Sequence, residues 1–424
     1  MEGRQGMQRA TGDVDSLGVV LDLIRSGAAT GRPDLQRVTG FGRGLVSERV
    51  NELLRAALVT EDSFLDSTGG RAARALRLNA GLGLILVCHA NLADLHVGVA
   101  DLSGRLLASR HVSASFDDGP GPMFDACEQL WSGILHMLGK SAADVWGLGV
   151  GLPAHADFAA GTLVDSPSLP ARWTGFALRR DLSMRFGAPV WLETNDNLLA
   201  LEELRVGVAK GQSDFMYLHA DLAIGCGIVS GGRVMRGAQG AAGNIGHITI
   251  GGDALCRCGR RGCLEAVAGG EALLRDAEAA AVDGRSGHFA DRLAQGQPLA
   301  MIDLREGVRR GDQIAQGLVS AAGFRIGQAL ATSINLLNPA LVVASGCLPQ
   351  LGDLFIASMR EAVYRHSLPF VTRDLEIVVA EQTEHTGLAG AAQMVVDQLF
   401  MPAMLGKWFG AGRPRPDIHD DLAP

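Results

Sequence analysis

Near the start of the chain, apolar positions recur at helical spacing. In S-L-G-V-V-L-D-L-I-R-S-G, residues 16–27, Leu17, Val20, Leu21 and Ile24 fall at i, i+3, i+4 and i+7 and predict one buried helix face. A second short helix fits R-P-D-L-Q-R-V, with Pro33 in its first turn, where the missing N–H costs nothing. After the turn T-G-F-G, a third helix is predicted in R-G-L-V-S-E-R-V-N-E-L-L-R-A-A-L. Val46, Val50, Leu53, Leu54 and Ala57 face inward, which leaves Arg43, Ser47, Glu48, Asn51 and Arg55 on other faces. Two helices joined by a short glycine-containing turn make a helix-turn-helix, whose second helix suits the major groove of DNA. The residues that follow, to Leu78, can supply a two-stranded wing with Thr68-Gly69-Gly70-Arg71 at its tip.

Near residue 80 the texture changes to short apolar runs separated by longer helical stretches. Strands are predicted at Leu82 to Val87, Leu95 to Asp101, Val145 to Gly151, Pro189 to Glu193, Phe215 to Leu218, Gly227 to Val229, Leu341 to Ala344 and Leu375 to Val379. Such alternation predicts an α/β architecture. One apolar run, Ala188 to Leu192, leads into E-T-N-D-N and places Asp196 at the carboxyl end of a strand, a common position for a catalytic base. Beyond Phe400 the chain is rich in Pro and Gly and has no period. A loose tail is expected there, with Trp408 and Phe409 as candidates for docking on the body.

Composition narrows the classes. The 424 residues, 47% hydrophobic and 20% charged, allow a sizeable core and two or three domains. A net charge of −8 excludes a generally basic surface, so any nucleic-acid contact has to be a local patch. Residues 31–80 provide one, with eight Arg and no Lys against six acids. Within it Arg71, Arg74 and Arg77 follow a glycine pair, which lets an Arg reach phosphates or a narrow minor groove. The N-terminal stretch has no signal-peptide core and no apolar run approaches the ~18 residues of a membrane span, so a cytoplasmic location is expected. Seven cysteines in that compartment are expected as reduced thiols or metal ligands.

Three of them cluster in H-I-T-I-G-G-D-A-L-C-R-C-G-R-R-G-C-L-E. His247, Cys256, Cys258 and Cys263 satisfy tetrahedral zinc, and Gly259 and Gly262 allow the tight turn that gathers the sulfurs. Four protein ligands leave no open position for water, so the expected ion is structural. Cys88, Cys127, Cys226 and Cys347 lie in apolar surroundings and are expected in the core.

Together with this signature, G-A-A-G-N-I-G-H, L-N-P-A-L-V-V-A-S-G and the T-G-G-R after the helix-turn-helix resemble the ROK family (repressor, open reading frame, kinase), from about Leu17 to Phe400. The resemblance implies an actin-like ATPase (ribonuclease H-like) α/β body of two lobes with a sugar cleft between them, zinc holding one wall, and dimers or tetramers. The expected layout is a winged helix-turn-helix domain over 1–80, lobe 1 over 81–197 completed by a helix at about 384–400, lobe 2 with the zinc site over 198–383, and the tail over 401–424.

Kinases of the family carry D-x-G-G-T near the start of the body. Here the segment reads H-A-N-L-A, with His89 for the Asp, Asn91 and Leu92 for the glycines and Ala93 for the Thr. A second phosphate segment, G-T-G-I-G-x-G, reads D-L-A-I-G-C-G, and Asp221 brings negative charge towards phosphate. In the family's E-N-D-x-N, the catalytic Asp is matched by Asn195 and the Asn by Thr194, which leaves Asp196 one residue late. One residue turns a side chain by ~100° on a helix. Its expected duty is a hydrogen bond at the start of the following helix or to an effector hydroxyl.

The sugar pocket is implied more directly. Glu265 and His247 match sugar-contacting positions, Asn244 replaces an acid, and Asn195 and Asp196 complete the effector-binding candidates. Trp173 sits where the family approaches the sugar from the other lobe, and Arg172 in place of Gly implies a ligand with negative charge. The expected protein is a DNA-binding transcriptional regulator, a repressor, answering to a sugar or sugar derivative and acting as a homodimer or homotetramer. Arg43, Ser47 and Glu48 are the base-contact candidates, with Arg49, Arg55 and Arg71 for backbone or minor groove. The rival readings are an ATP-dependent sugar kinase with an altered site and a zinc-stabilised interaction protein.

Overall fold

The computed structural model describes residues 15–64, 74–92, 94–164, 169–381, 383 and 385–422. The first helix, α1 (15–25), buries Leu17, Val20, Leu21 and Ile24, the stripe its sequence predicts. Helix α2 (Arg32–Thr39) has Pro33 in its first turn and ends at Gly40, whose φ of 71° is left-handed. Helix α3 (Arg43–Arg55) buries Val46, Val50 and Leu53, while Leu54 is half-buried. Ala57 is exposed rather than inward: the helix stops at Arg55, and Ala57 takes a φ of 56° so that the Leu58 N–H can close on the Leu53 carbonyl at 3.0 Å. Strand β1 (Val59–Phe64) then pairs antiparallel with β2 (Arg74–Leu78), Val59 opposite Leu78, as a wing would. The predicted tip with Arg71 lies outside the described residues.

The body carries two five-stranded sheets. The first runs β5-β4-β3-β6-β9. It is built from β3 (Leu84–Ala90), β4 (Asp94–Asp101), β5 (Leu106–Ser113) and β6 (Val145–Leu152) and, after the short hairpin of β7 (Ala156–Asp157) and β8 (Thr162–Leu163), β9 (Val190–Thr194). Strands β3, β6 and β9 are parallel, so their carboxyl ends share one edge. Helices α4 (Pro120–Met137) and α5 (Leu178–Phe186) bury Trp131 and Leu182 against this sheet.

Helix α6 (Asn195–Arg205) leads from β9 to the second sheet, ordered β12-β11-β10-β13-β14. Its strands are β10 (Phe215–Ala220), β11 (Ile224–Ser230), β12 (Arg233–Val234), β13 (Leu341–Ser345) and β14 (Glu376–Val379). The helices α7 (Leu264–Ala268), α8 (Gly270–Val282), α9 (Gly287–Ala294), α10 (Met301–Arg310), α11 (Gln313–Leu337), α12 (Asp353–His366) and α13 (Pro369–Thr372) share a core with one face of it. Helix α14 (Thr386–Leu399) returns to the first sheet and shares its core with Ile85, Val87 and Trp191.

The segment after Phe400 is not a loose tail. Helix α15 (Pro402–Trp408) buries Met404, Leu405 and Trp408, a one-turn apolar stripe that the surrounding Pro and Gly obscure in the sequence. The Trp408 ring meets Trp146 edge-on at 5.3 Å, and its indole N–H donates to the Leu399 carbonyl at 2.9 Å. Farther on, His419 packs edge-on against Trp191 at 5.0 Å. Leu17, Val20, Leu21 and Ile24 of α1 belong to the same hydrophobic cluster as Leu399, Met404 and Trp408, so the N-terminal module and the body share one core. Among the described residues no single helix is long and apolar enough to cross a membrane. Helices α14 and the segment from Pro402 to Ala411 pass that test only as a pair bent by 71°, and they are core elements here.

Candidate functional site

The carboxyl ends of β3, β6 and β9 open onto a cleft of about 660 Å³ whose opposite wall comes from the second sheet and the cysteine loop. Ligands of open α/β sheets bind at such an edge. From the first sheet come His89, Asn91, His155, Thr194, Asn195 and Asp196; from the other side come His219, Asp221, Asn244, His247, Arg257 and Glu265.

Asn195 opens α6 and is buried, with 6% of its surface exposed. Its amide Nδ2 donates to the Ala90 carbonyl at 2.9 Å, while its Oδ1 has no partner. Asp196 lies one helical step on and points across the cleft to His219, with Oδ1 and Nδ1 3.0 Å apart. Burial opposes protonation of His219, but the Asp196 carboxylate outweighs it and holds the ring above the usual histidine range. The helix cap expected of Asp196 is therefore absent, because its carboxylate reaches the facing strand instead of its own backbone.

His89 sits at the end of β3. Burial, and then the nearby His96 and His219 rings, push it down to about 3, so it stays neutral. It packs on Gly387 at the start of α14, where a Cβ would collide with the ring. Asp221 accepts from the Leu222 N–H at 2.8 Å and the Cys347 N–H at 3.2 Å. Asn244 Oδ1 is 3.1 Å from His155 Nε2, so one hydrogen bond spans the cleft between the lobes. Glu265, in the first turn of α7, accepts from the Ile224 N–H at 3.1 Å and pairs with Arg257 at 3.2 Å. All five effector candidates thus line one cleft.

Trp173 and Arg172 do not. Trp173 is 1% exposed, stacks on Phe116 at 4.3 Å and donates to the Phe116 carbonyl at 2.8 Å, which makes it core of the first lobe. Arg172 reaches the Asp118 carbonyl at 3.3 Å on the outside, so the argument for an anionic ligand loses its residue. His155 and His219 escaped sequence reasoning, although each lies just beyond an apolar strand run.

In the cysteine loop the donor atoms of His247, Cys256, Cys258 and Cys263 all lie within 4.8 Å of one another. His247 Nδ1 is 3.4 Å from Cys256 Sγ, and Cys258 Sγ is 3.6 Å from Cys263 Sγ. The cluster could hold a metal ion. Its loop ends in Cys263, the residue before α7, and so fixes Glu265 against the cleft.

On the N-terminal module, Arg43, Glu48 and Arg55 are exposed and Ser47 is half-buried along α3. Arg49 departs from expectation. It is 5% exposed, with Nε on Ser16 Oγ at 2.9 Å and Nη1 on Glu52 at 2.8 Å, so it ties α3 to α1 and is withdrawn from any DNA surface.

Comparison with known proteins bears on this geometry. The ROK family model matches residues 93–398. The chain belongs to the ROK family. A xylose repressor of Caldicellulosiruptor bescii is 24% identical over 388 residues, 91% of this chain and 96% of the repressor. A glucokinase of Halalkalibacterium halodurans is 28% identical over 261 residues, but covers 61% of this chain and 78% of the enzyme. The crystal structure of a ROK family transcriptional regulator, a homologue of the Escherichia coli MLC protein, superimposes with a TM-score of 0.80 at 23% identity over 93% of this chain and 98% of its own. Repressor-type ROK proteins therefore match the winged module as well as the body. His89, Asn91, Leu92, Asn195 and Asp221, the residues that the resemblance sets against the phosphate and base segments of family kinases, all line this cleft.

Proposed function

We propose that this ROK protein is a transcriptional repressor that binds an operator through α3 and the wing and responds to a sugar-like effector in the cleft. The observation that carries the reading is Asn195. It stands where the family's catalytic base would be, has no basic oxygen to offer, and is fastened to the Ala90 carbonyl. No enzymatic role is proposed. Arg43, Ser47 and Glu48 are assigned to base edges and Arg55 and Arg71 to the DNA backbone, on a homodimer or homotetramer in the cytoplasm.

The effector contacts are assigned to Asn195, Asp196, Asn244, His247 and Glu265. Zinc is assigned to the cysteine loop as a structural ion. Tetrahedral Zn–S bonds of about 2.3 Å put two sulfurs about 3.7 Å apart, and Cys258 and Cys263 stand at 3.6 Å. A duplex selected from a random pool on the wild-type protein provides the test. Arg43→Ala should weaken its binding by about 1–3 kcal/mol, and unchanged affinity overturns the assignment of α3. Release of ADP from ATP in the presence of any hexose or pentose in a coupled assay would establish the kinase reading instead.

A further inference from the structure

Two helices run from the cleft to the N-terminal module and end on one carboxylate. Helix α6 starts at Asn195 and Asp196, in the cleft wall, and ends at Arg205. Helix α14 starts at Thr386 and Gly387, also in the cleft wall, and carries Asp397 near its far end. At 1.5 Å per residue these are rods of roughly 16 and 21 Å. Gly390 of α14 lies so close to the Leu198 carbonyl of α6 that a Cβ would collide with it, so the two rods are in direct backbone contact. Arg205 grips Asp397 Oδ2 through Nη2 at 2.6 Å and Nε at 3.0 Å. Arg25, the last residue of α1, approaches the other oxygen, with Nη1 3.2 Å from Oδ1.

That second half of the clasp is incomplete. Asp397 Oδ1 and Arg25 Nε are both buried and without a hydrogen bond, despite the short charge separation. Buried polar atoms of this kind call for a reason, and a donor and an acceptor left over on opposite sides of a helix contact point to a second seating of that contact. A small rotation of α1 on α14 would let the guanidinium close on Oδ1.

We propose that Asp397 is the coupling residue between cleft and DNA-binding module: displacement of the cleft ends of α6 and α14 alters the seat of Asp397, and with it the seat of α1 through Arg25. The α1 seat matters to DNA because α1 holds α3 through Ser16 and Arg49. This inference rests on the repressor reading for its purpose, but its geometry stands apart from it. Coupling of this sort requires that both sites bias one element with two arrangements, and α1 is that element.

The experiment uses the full chain and needs no known effector. Asp196→Asn weakens the His219 pair and so perturbs the cleft end of α6. Amide hydrogen exchange is read over residues 15–25 and over β10, in wild type, Asp196→Asn, Asp397→Asn and the double variant. Asp196→Asn should change exchange in 15–25 by about fivefold in the wild-type background, with that change lost in the Asp397→Asn background. Exchange in β10, which carries His219, should respond equally in both backgrounds, which a merely destabilised double variant would not give. Arg25→Gln, which leaves the Arg205 half intact, should uncouple in the same way. A response in 15–25 that survives Asp397→Asn, or none in the wild-type background, overturns the proposal. Failure to bind any duplex would refute the repressor reading and leave the exchange result standing.

Discussion

Placing an acid at position 195 should damage the protein without making a kinase. Asn195 Nδ2 donates to the Ala90 carbonyl at 2.9 Å in a site 6% exposed. In Asn195→Asp that donor becomes an oxygen facing an oxygen, and the carbonyl left unpaired costs about 1–3 kcal/mol. The carboxylate adds a charge term with a definite sign. Burial without a donor raises its folded pKa above the unfolded value near 3.9, so the native state binds more protons in the window between the two. Stability therefore falls as pH rises through that window, by at most about 1.4 kcal/mol per unit, and levels off above the folded pKa. Below the window the protonated carboxyl can donate to Ala90 and the cost is smallest. His89 gives no relief, because burial holds it neutral down to about 3. Urea midpoints of wild type and variant from about pH 5 to about pH 8 measure this, and a coupled ADP assay on the same samples should stay silent. Equal midpoints across the range, or any sugar-dependent turnover, would refute the reasoning.

Arg49 and Arg55 should separate in salt titrations. Arg55→Ala should lower the slope of log affinity against log salt by about one, whereas Arg49→Ala should leave the slope alone and lower the melting temperature, because Arg49 is internal. Extraction of metal with a strong chelator should release zinc, detectable with a chromogenic dye, and lower the melting temperature; release should ease as pH falls, since protons compete for the three thiolates. Intact stability after metal removal would show that the cysteine loop holds itself. Trp408→Ala should cost about 3–5 kcal/mol, whereas a loose tail would give no change in the urea midpoint.

The helices of the N-terminal module and the main strands of the body were legible because apolar periodicity dictates them. Leu17, Val20, Leu21 and Ile24 are buried as their spacing requires, and the eight predicted strands form with no end moved by more than three residues. Strand β5 was missed because an edge strand need not be apolar: most of Leu106–Ser113 is exposed or half-exposed. Helix α15 was hidden by its flanking Pro and Gly, and Trp408 gains its ring partner from Trp146, far away in sequence. Within the site, the four metal-ligand candidates share one short segment and could be read locally. The pairing of Asp196 with His219 and of Asn244 with His155 could not, because each crosses between lobes whose approach no spacing encodes. Arg49 misled for the same reason: a cation on a helix reads as solvated until the facing helix is known.

Asn195, Asp221 and His89 are each engaged by the fold, and this bears on which ligand the proposed effector cleft would take. Asn195 ties α6 to β3, Asp221 caps the turn at Leu222 and holds Cys347, and His89 seats α14 at Gly387. The Asn195 and Asp221 hydrogen bonds contribute about 0.5–1.5 kcal/mol each, net, so replacing these residues is uphill in stability. The charges point the same way. Among the described residues, Asp94, Asp117, Asp196, Asp221 and Glu265 line the cleft against one guanidinium, that of Arg257, itself paired with Glu265. A phosphate placed about 4 Å from one of these carboxylates would meet repulsion of roughly 4 kcal/mol at an effective dielectric of 20. Even a protonated His219 is spent on Asp196. An uncharged polyhydroxyl ligand has no such penalty and finds carboxylate and amide acceptors for its hydroxyls, so neutral sugars should raise the melting temperature where their phosphates do not.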